Sequence, residues 1–292
     1  MKKSTGKGAI VGVTLTTHVP RLFLEGEARE KYIGKNQSSF FEALPQMYEE
    51  QIKERDFDTF LVIDTHWWTT IGFIVNGNEF LTGTYTSDEI PEMIHDYYYN
   101  YSGDGEPAFL IAKYAQKKGL PVDVCDNSNL PVHYPTLVPM HYLNPQKKHN
   151  VLTTSIAYTS SVAQELRYGE AIREAVEASG RRVIIVASGG LSHKFWPLEV
   201  IKERAGPELS NIPEFNRNFD ETIIDALKSG NHEKVLDIVH VFRKECSPEG
   251  CFAHYLRMVG ALGGADCTLK GIQYGNYEAA VGTGQVIMWF DV

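Results

Sequence analysis

The sequence predicts an α/β fold: a central, mostly parallel or mixed sheet flanked by helices on both faces. Short apolar runs alternate with amphipathic stretches along its 292 residues, the order expected when crossover helices join strands. Most runs are rich in Val and Ile and nearly continuous in apolar character, as strands covered on both sides must be. Start and stop signals bracket several of the stretches between them, which marks those as helices.

In chain order, strands are expected at 9–15, 59–64, 72–75, 121–124, 150–156, 183–187 and 285–290. Ser39-Phe40-Phe41-Glu42 has the spacing of a capping box and would open a helix running to about Arg55. Helices 106–118 and 165–179 close on Gly119 and Gly180, both suited to the left-handed position after a helix. Stretches 213–228 and 232–243 look helical and end near turn residues, and Pro248-Glu249-Gly250 stands where a final helix, 251–262, would begin. No internal repeat, low-complexity tract or long linker interrupts this order. The length fits one large α/β domain or two closely packed ones.

Composition narrows the function classes. Hydrophobic residues make up 43% and charged residues 22%, ordinary values for a globular chain. A net charge of −9, with no Lys/Arg-rich stripe to offset it, argues against nucleic acid as a partner. Apolar runs such as 183–187 are too short to cross a bilayer. The run behind Met1-Lys2-Lys3-Ser4-Thr5 reads as the first strand rather than a secretory signal. Cys125, Cys246, Cys251 and Cys267 form no C-x-x-C pair, so free buried thiols in a reducing cytoplasm are expected.

Three segments place polar residues at the carboxyl ends of apolar strands, where open α/β sheets gather their ligands. In Leu15-Thr16-Thr17-His18-Val19-Pro20, His18 follows the first strand, and in Ile63-Asp64-Thr65-His66-Trp67, His66 follows the second. Each alone reads more readily as a hydrogen-bonded structural residue than as a ligand, but two imidazoles brought to one edge could meet on one metal ion. The third segment is Ala187-Ser188-Gly189-Gly190-Leu191-Ser192-His193, whose glycine pair lets the backbone turn tightly and approach a ligand. His193 there reads as an acid/base or oxygen-binding group, or as a satisfied structural histidine. A Ser-His hydrolase is disfavoured, because Gly190-Leu191-Ser192-His193-Lys194 lacks the closing glycine of a nucleophile elbow. The stretch from Pro131 to Met140 combines titratable groups with prolines and reads as a pocket wall or a proline-braced surface loop. Tyr97-Tyr98-Tyr99-Asn100-Tyr101 reads as an aromatic pocket lining or as simple packing.

Taken together and in order, these segments resemble the class III extradiol dioxygenases, within that class most closely the 3,4-dihydroxyphenylacetate 2,3-dioxygenases. The likeness rests on Thr17-His18-Val19-Pro20, Asp64-Thr65-His66-Trp67, Tyr85-Thr86-Ser87-Asp88-Glu89-Ile90-Pro91, Thr136-Leu137-Val138-Pro139-Met140, the segment from Ala187 to His193, and Val281-Gly282-Thr283-Gly284-Gln285-Val286. It runs almost from end to end and so implies a single catalytic domain, subunit-B-like, over 1–292. It implies Fe(II) held by His18, His66 and Glu249, with His193 and Tyr134 as the catalytic residues that handle protons. The implied reaction inserts O₂ beside the two hydroxyls of a catechol-type ring and yields a muconic semialdehyde. Assembly into homo-oligomers is implied as well.

Near the substrate the chain departs from those relatives. It has His133, Tyr134 and Pro135 where they carry an acidic residue, Tyr and Gly, and His141 where they tend to have Arg. An anionic substrate tail would then meet a histidine or be absent. A 2-aminophenol ring in place of the catechol stays open, as does a zinc hydrolase using the same His/His/Glu set, since ligand type alone does not exclude zinc.

Overall fold

The computed structural model describes residues 7–33, 38–204 and 206–292, so the N-terminal residues 1–6, with the Met1-to-Thr5 stretch read above, lie outside it. An eight-stranded sheet has the order β6-β3-β7-β2-β8-β1-β10-β9, where β1 is Ala9–Thr16, β2 Thr59–Thr69, β3 Phe73–Asn76, β6 Val122–Cys125, β7 Asn150–Ala157, β8 Arg182–Ser188, β9 Gly271–Ala280 and β10 Thr283–Phe290. The four central strands, β7-β2-β8-β1, run parallel, while β3 against β7 and the β1-β10-β9 side are antiparallel. The sheet is therefore mixed, as expected.

Strand alternation divides the apolar residues between two cores. On β2, Leu61 and Ile63 enter one core and Phe60 and Val62 the other; on β8, Ile185 and Ala187 part from Ile184 and Val186 in the same way. The first core is closed by helices α3 (Gly105–Lys117), α5 (Val162–Ser179), α6 (Glu214–Ser229), α7 (His232–Glu245) and α8 (Ala253–Ala261). The second is closed by α2 (Phe40–Met47), α4 (Tyr134–Leu143) and a separate hairpin of β4 (Phe80–Tyr85) and β5 (Tyr97–Ser102). A short helix α1 (Gly26–Ile33) precedes α2. Helices α5 and α8 cross closely because Gly169 and Gly260 carry no side chain; a Cβ at Gly169 would stand 2.2 Å from the Arg257 carbonyl. Arg257 Nε donates to Glu165 Oε2 at 2.9 Å across the same contact, and both side chains are wholly buried. Among the described residues no helix is long and apolar enough to cross a membrane.

Several local expectations give way to specific contacts. Ser39 does not form a capping box with Glu42: its hydroxyl donates to Glu278 Oε1 at 2.5 Å and accepts from Asn276 N–H at 2.8 Å, which docks α2 on β9. Glu278 outcompetes the helix end because it is a charged acceptor for both Ser39 N–H and Oγ–H. A capping box is formed instead by Ser161 and Gln164 at the start of α5. After Met47 the helix widens into one π-turn, Tyr48–Ile52, which begins three residues past Pro45. From Tyr134 onward the proline-rich stretch is not a loop but buried helix α4, with Pro135 in its first turn and Pro139 inside it; exposed Pro131 lies in the segment that leads into it. The tyrosine cluster is β5, with Tyr99 and Tyr101 packed inward and Tyr98 outward.

Candidate metal centre

Because β2, β8 and β1 are parallel neighbours, their carboxyl ends meet on one edge of the sheet. His18 stands two residues beyond β1. His66 lies within β2 rather than past it: the pairing with β7 breaks between Ile63 and Trp68, and the residues in between leave the ladder. Asp64 organises that break. Its Oδ1 accepts from the N–H groups of His66 (3.0 Å) and Trp67 (3.1 Å), an Asx-type turn, and its Oδ2 accepts from Thr136 Oγ1 (2.7 Å) on α4. One carboxylate thus fixes His66 and joins it to the helix that carries Tyr134.

Glu249 reaches the same point from a distant part of the chain. Its N–H donates to the Leu191 carbonyl at 3.0 Å. Gly250, Cys251 and Phe252 then all take left-handed backbone angles, φ 54°, 55° and 61°, before α8 begins. Two of these are not glycine, so strain is stored next to the site. Gly250 has no room for a side chain, since a Cβ would stand 2.6 Å from Thr65 Cγ2.

The three side chains converge on one oxygen. Glu249 Oε1 lies 2.7 Å from His18 Nε2 and 3.1 Å from His66 Nε2, and the Gly190 N–H donates to Oε2. Their candidate ligating atoms all fall within 4.8 Å of one another. The two imidazoles stand nearly perpendicular, at 89° with centroids 5.0 Å apart. The tautomer of His18 follows from its neighbour. The Ser188 hydroxyl donates its one proton to the Pro135 carbonyl at 2.5 Å, so it accepts from His18 Nδ1–H at 3.0 Å, leaving the Nε2 lone pair aimed at Glu249. A neutral imidazole's lone pair and a carboxylate oxygen at 2.7 Å repel unless a proton or a metal cation stands between them. Two imidazoles and one carboxylate on one side of a point, with the other side open, could hold a divalent metal ion.

Burial alone would raise the Glu249 carboxyl, but His18 and His66 outweigh it and hold the group well below the carboxylate range. Burial lowers His66, yet its hydrogen bond to Glu249 and the charges of Glu249, Asp64 and Glu89 raise it overall. Tyr134 is pushed well above the usual phenol range, by burial first and then by Glu249 and Glu89, so it stays protonated. Burial lowers His193 against the pull of Glu249, so it stays neutral at pH 7.

Tyr134 opens α4 with its hydroxyl 3.3 Å from His66 Nε2 and its ring 5.4 Å from that of His18. His133 caps the helix, and Tyr85 packs against both His133 and Tyr134 at 6.1 and 6.4 Å. Pro135 enters the site through its carbonyl on Ser188. His141 is turned to other partners: Tyr97 Oη at 3.3 Å from Nδ1, Glu25 at 3.6 Å from Nε2, and the rings of Phe23 and Tyr142. It stands about 10 Å further along the helix from Tyr134, by the ordinary rise per residue. Phe23, Glu25 and Tyr97 also line a cavity of ≈ 210 Å³ with Leu24, Met93 and Ile94. His193 follows β8 with its ring against exposed Phe195, centroids 4.0 Å apart.

Sequence reasoning missed Ser188, Asp64 and His254. The first two were inside quoted motifs, and only the fold shows what they bond. His254 is wholly buried, its pKa pushed down to about 4 by burial, and its ring sits 2.8 Å from where a Gly189 Cβ would stand. The glycine pair therefore serves packing as well as ligand approach: Gly189 admits His254, and Gly190 admits Gln285 and Thr283 while donating to Glu249.

The family described as the catalytic LigB subunit of aromatic ring-opening dioxygenase matches residues 12–290. The chain is 31% identical over 251 residues to a 3,4-dihydroxyphenylacetate 2,3-dioxygenase of Escherichia coli, covering 85% of this chain and 88% of that protein. It is 25% identical over 299 residues to the 2-aminophenol 1,6-dioxygenase beta subunit of a Pseudomonas species, covering 96% and 93%. A crystal structure of an uncharacterized Escherichia coli K12 protein shares the fold, with TM-score 0.63 at 14% identity over 96% of this chain and 99% of that one.

Proposed function

Since the chain belongs to the LigB family of aromatic ring-opening dioxygenases, in which it is an extradiol ring-cleaving dioxygenase, we propose that it uses Fe(II) and O₂ to open a catechol-type ring beside its two hydroxyls. The substrate is 3,4-dihydroxyphenylacetate or a close analogue, and the product a muconic semialdehyde. The observation that carries this reading is the single carboxylate oxygen of Glu249 shared by His18 and His66 at the open end of parallel strands. When bound, Fe(II) supplies a redox-active centre through which a singlet ring and triplet O₂ can react.

The rest falls to the chain's own groups. Ser188 holds His18 in the tautomer that presents Nε2, and Asp64 holds the backbone of His66. Glu249 supplies one negative charge, which leaves a divalent site net positive and favourable to a catecholate oxygen. Tyr134, kept protonated by burial and Glu249, donates a hydrogen bond to a ring oxygen rather than acting as base. His193, neutral at pH 7, accepts the proton that a catechol hydroxyl loses and returns it as the ring opens. Phe195 and Tyr85 flank these two groups. A 2-aminophenol ring is the second reading, favoured by the Pseudomonas relative that aligns over 96% of the chain.

The same reading treats 1–292 as one catalytic domain that self-associates and works in the cytoplasm, where its four free thiols stay reduced. Metal analysis of the purified protein, followed by an oxygen electrode with catechols and 2-aminophenols in air, tests it. A ring-opening enzyme consumes O₂ and yields a yellow product, whereas a zinc hydrolase does neither. Size-exclusion chromatography and limited proteolysis test assembly and domain number.

A further inference from the structure

We propose that Asp220 is a positioning residue for His193, fixing where the imidazole stands through the residue before it. This rests on the reading of His193 as the proton handler. Asp220 comes from α6, outside every motif above, and is wholly buried. Its Oδ1 accepts from Ser192 N–H at 2.9 Å, and its Oδ2 accepts from Ser192 Oγ–H at 2.7 Å and Tyr277 Oη–H at 2.6 Å. The Ser192 carbonyl accepts from Gly284 N–H at 2.9 Å, so every polar atom of Ser192 is engaged. Space for the carboxylate exists only because residue 284 is glycine, whose Cβ would stand 2.1 Å from Asp220 Oδ2.

His193 itself depends on such backbone anchoring. Among the described residues its imidazole has no hydrogen-bond partner and lies beside the Phe195 ring, which leaves both ring nitrogens for substrate. Its position is set by the chain on either side: its own N–H donates to Cys246 O at 2.9 Å, and Lys194 N–H donates to Gly282 O at 2.9 Å. Upstream, Glu249 holds Gly190 and Asp220 holds Ser192; without Asp220 the Ser192 N–H would lie buried and unpaired, a costly state that the loop relieves by moving. A displacement of ~1 Å at a proton-transfer group is enough to cost ~10²-fold.

The test is a double-mutant cycle, Asp220→Asn and His193→Ala separately and together, with kcat, KM, iron content and melting temperature for each. Asp220→Asn is expected to lower kcat about 10–100-fold at unchanged iron content and near-unchanged KM, and to lower it no further in the His193→Ala background. Equal losses in both backgrounds, or a loss that tracks iron content, would overturn the proposal. If His193→Ala keeps full turnover, the reading of His193 fails first and the proposal with it. If Asp220→Asn alone keeps full turnover, only the positioning role fails. Tyr277→Phe and Ser192→Ala, which each delete one hydroxyl, carry the same cycle should Asp220→Asn not fold. Histidine-selective NMR of the zinc-loaded protein adds a readout free of turnover. The His193 signal should move in Asp220→Asn while that of His232, held by Tyr255 and Leu269, stays; an unmoved His193 signal overturns the proposal.

Discussion

His18 Nδ1 and Ser188 Oγ lie 3.0 Å apart, and because Ser188 spends its proton on the Pro135 carbonyl, the histidine must be the donor. The hydroxyl therefore decides which nitrogen of His18 faces Glu249. Ser188→Ala should leave the fold intact and weaken metal binding about 10–100-fold, as loss of an outer partner of a ligating histidine does. Titration of the protein with Fe(II) or Zn(II) measures it, and unchanged affinity would remove Ser188 from the site.

The pH profile should carry the mark of His193. Burial lowers its pKa below 6.5, so the neutral imidazole persists at pH 7 and is lost only as pH falls through the lowered value. Between that value and 6.5 the unfolded chain binds more protons, so stability also declines as the solution is acidified. The acid limb of kcat/KM should lie below pH 6.5. His193→Asn should abolish that limb and lower turnover ~10²–10⁴-fold with iron content held.

Gly250 is required twice, for its φ of +54° and for the missing Cβ that would press on Thr65. Gly250→Ala should shift Glu249 and reduce metal occupancy, at an added backbone cost of about 1–2 kcal/mol. Metal content per folded chain and a denaturation curve separate the two effects.

Glu165 and Arg257 form a wholly buried pair between α5 and α8. Glu165→Ala leaves the guanidinium buried without its countercharge and should cost about 3–5 kcal/mol in urea unfolding. Since α8 directly follows the Glu249 turn, the same variant should lose metal more readily.

The parallel strands and the helices that announce their ends were legible because burial on both faces writes continuous apolar runs. Strand β9 was not, since it is an edge strand of mixed polarity interrupted by Gly275 at φ +68°. Nor was the β4–β5 hairpin, whose Thr, Gly and Tyr residues alternate weakly. At the site, His18 and His66 were visible from strand ends, whereas Glu249 came only from family likeness. Its position depends on a left-handed turn, and no periodicity encodes that. Ser39 misled because a distant carboxylate, Glu278, claims its hydroxyl, a contact between residues 239 positions apart. Asp220 gave no local signal for the same reason.

The most direct test of ring opening at the Glu249 site is oxygen uptake by protein reconstituted anaerobically with Fe(II), supplied with 3,4-dihydroxyphenylacetate and ¹⁸O₂. One O₂ should disappear per ring opened, the product mass should equal substrate plus both labelled atoms, and Glu249→Gln should abolish both together with iron binding. Full iron content with no oxygen uptake across catechols and 2-aminophenols, or undiminished uptake in Glu249→Gln, would contradict it.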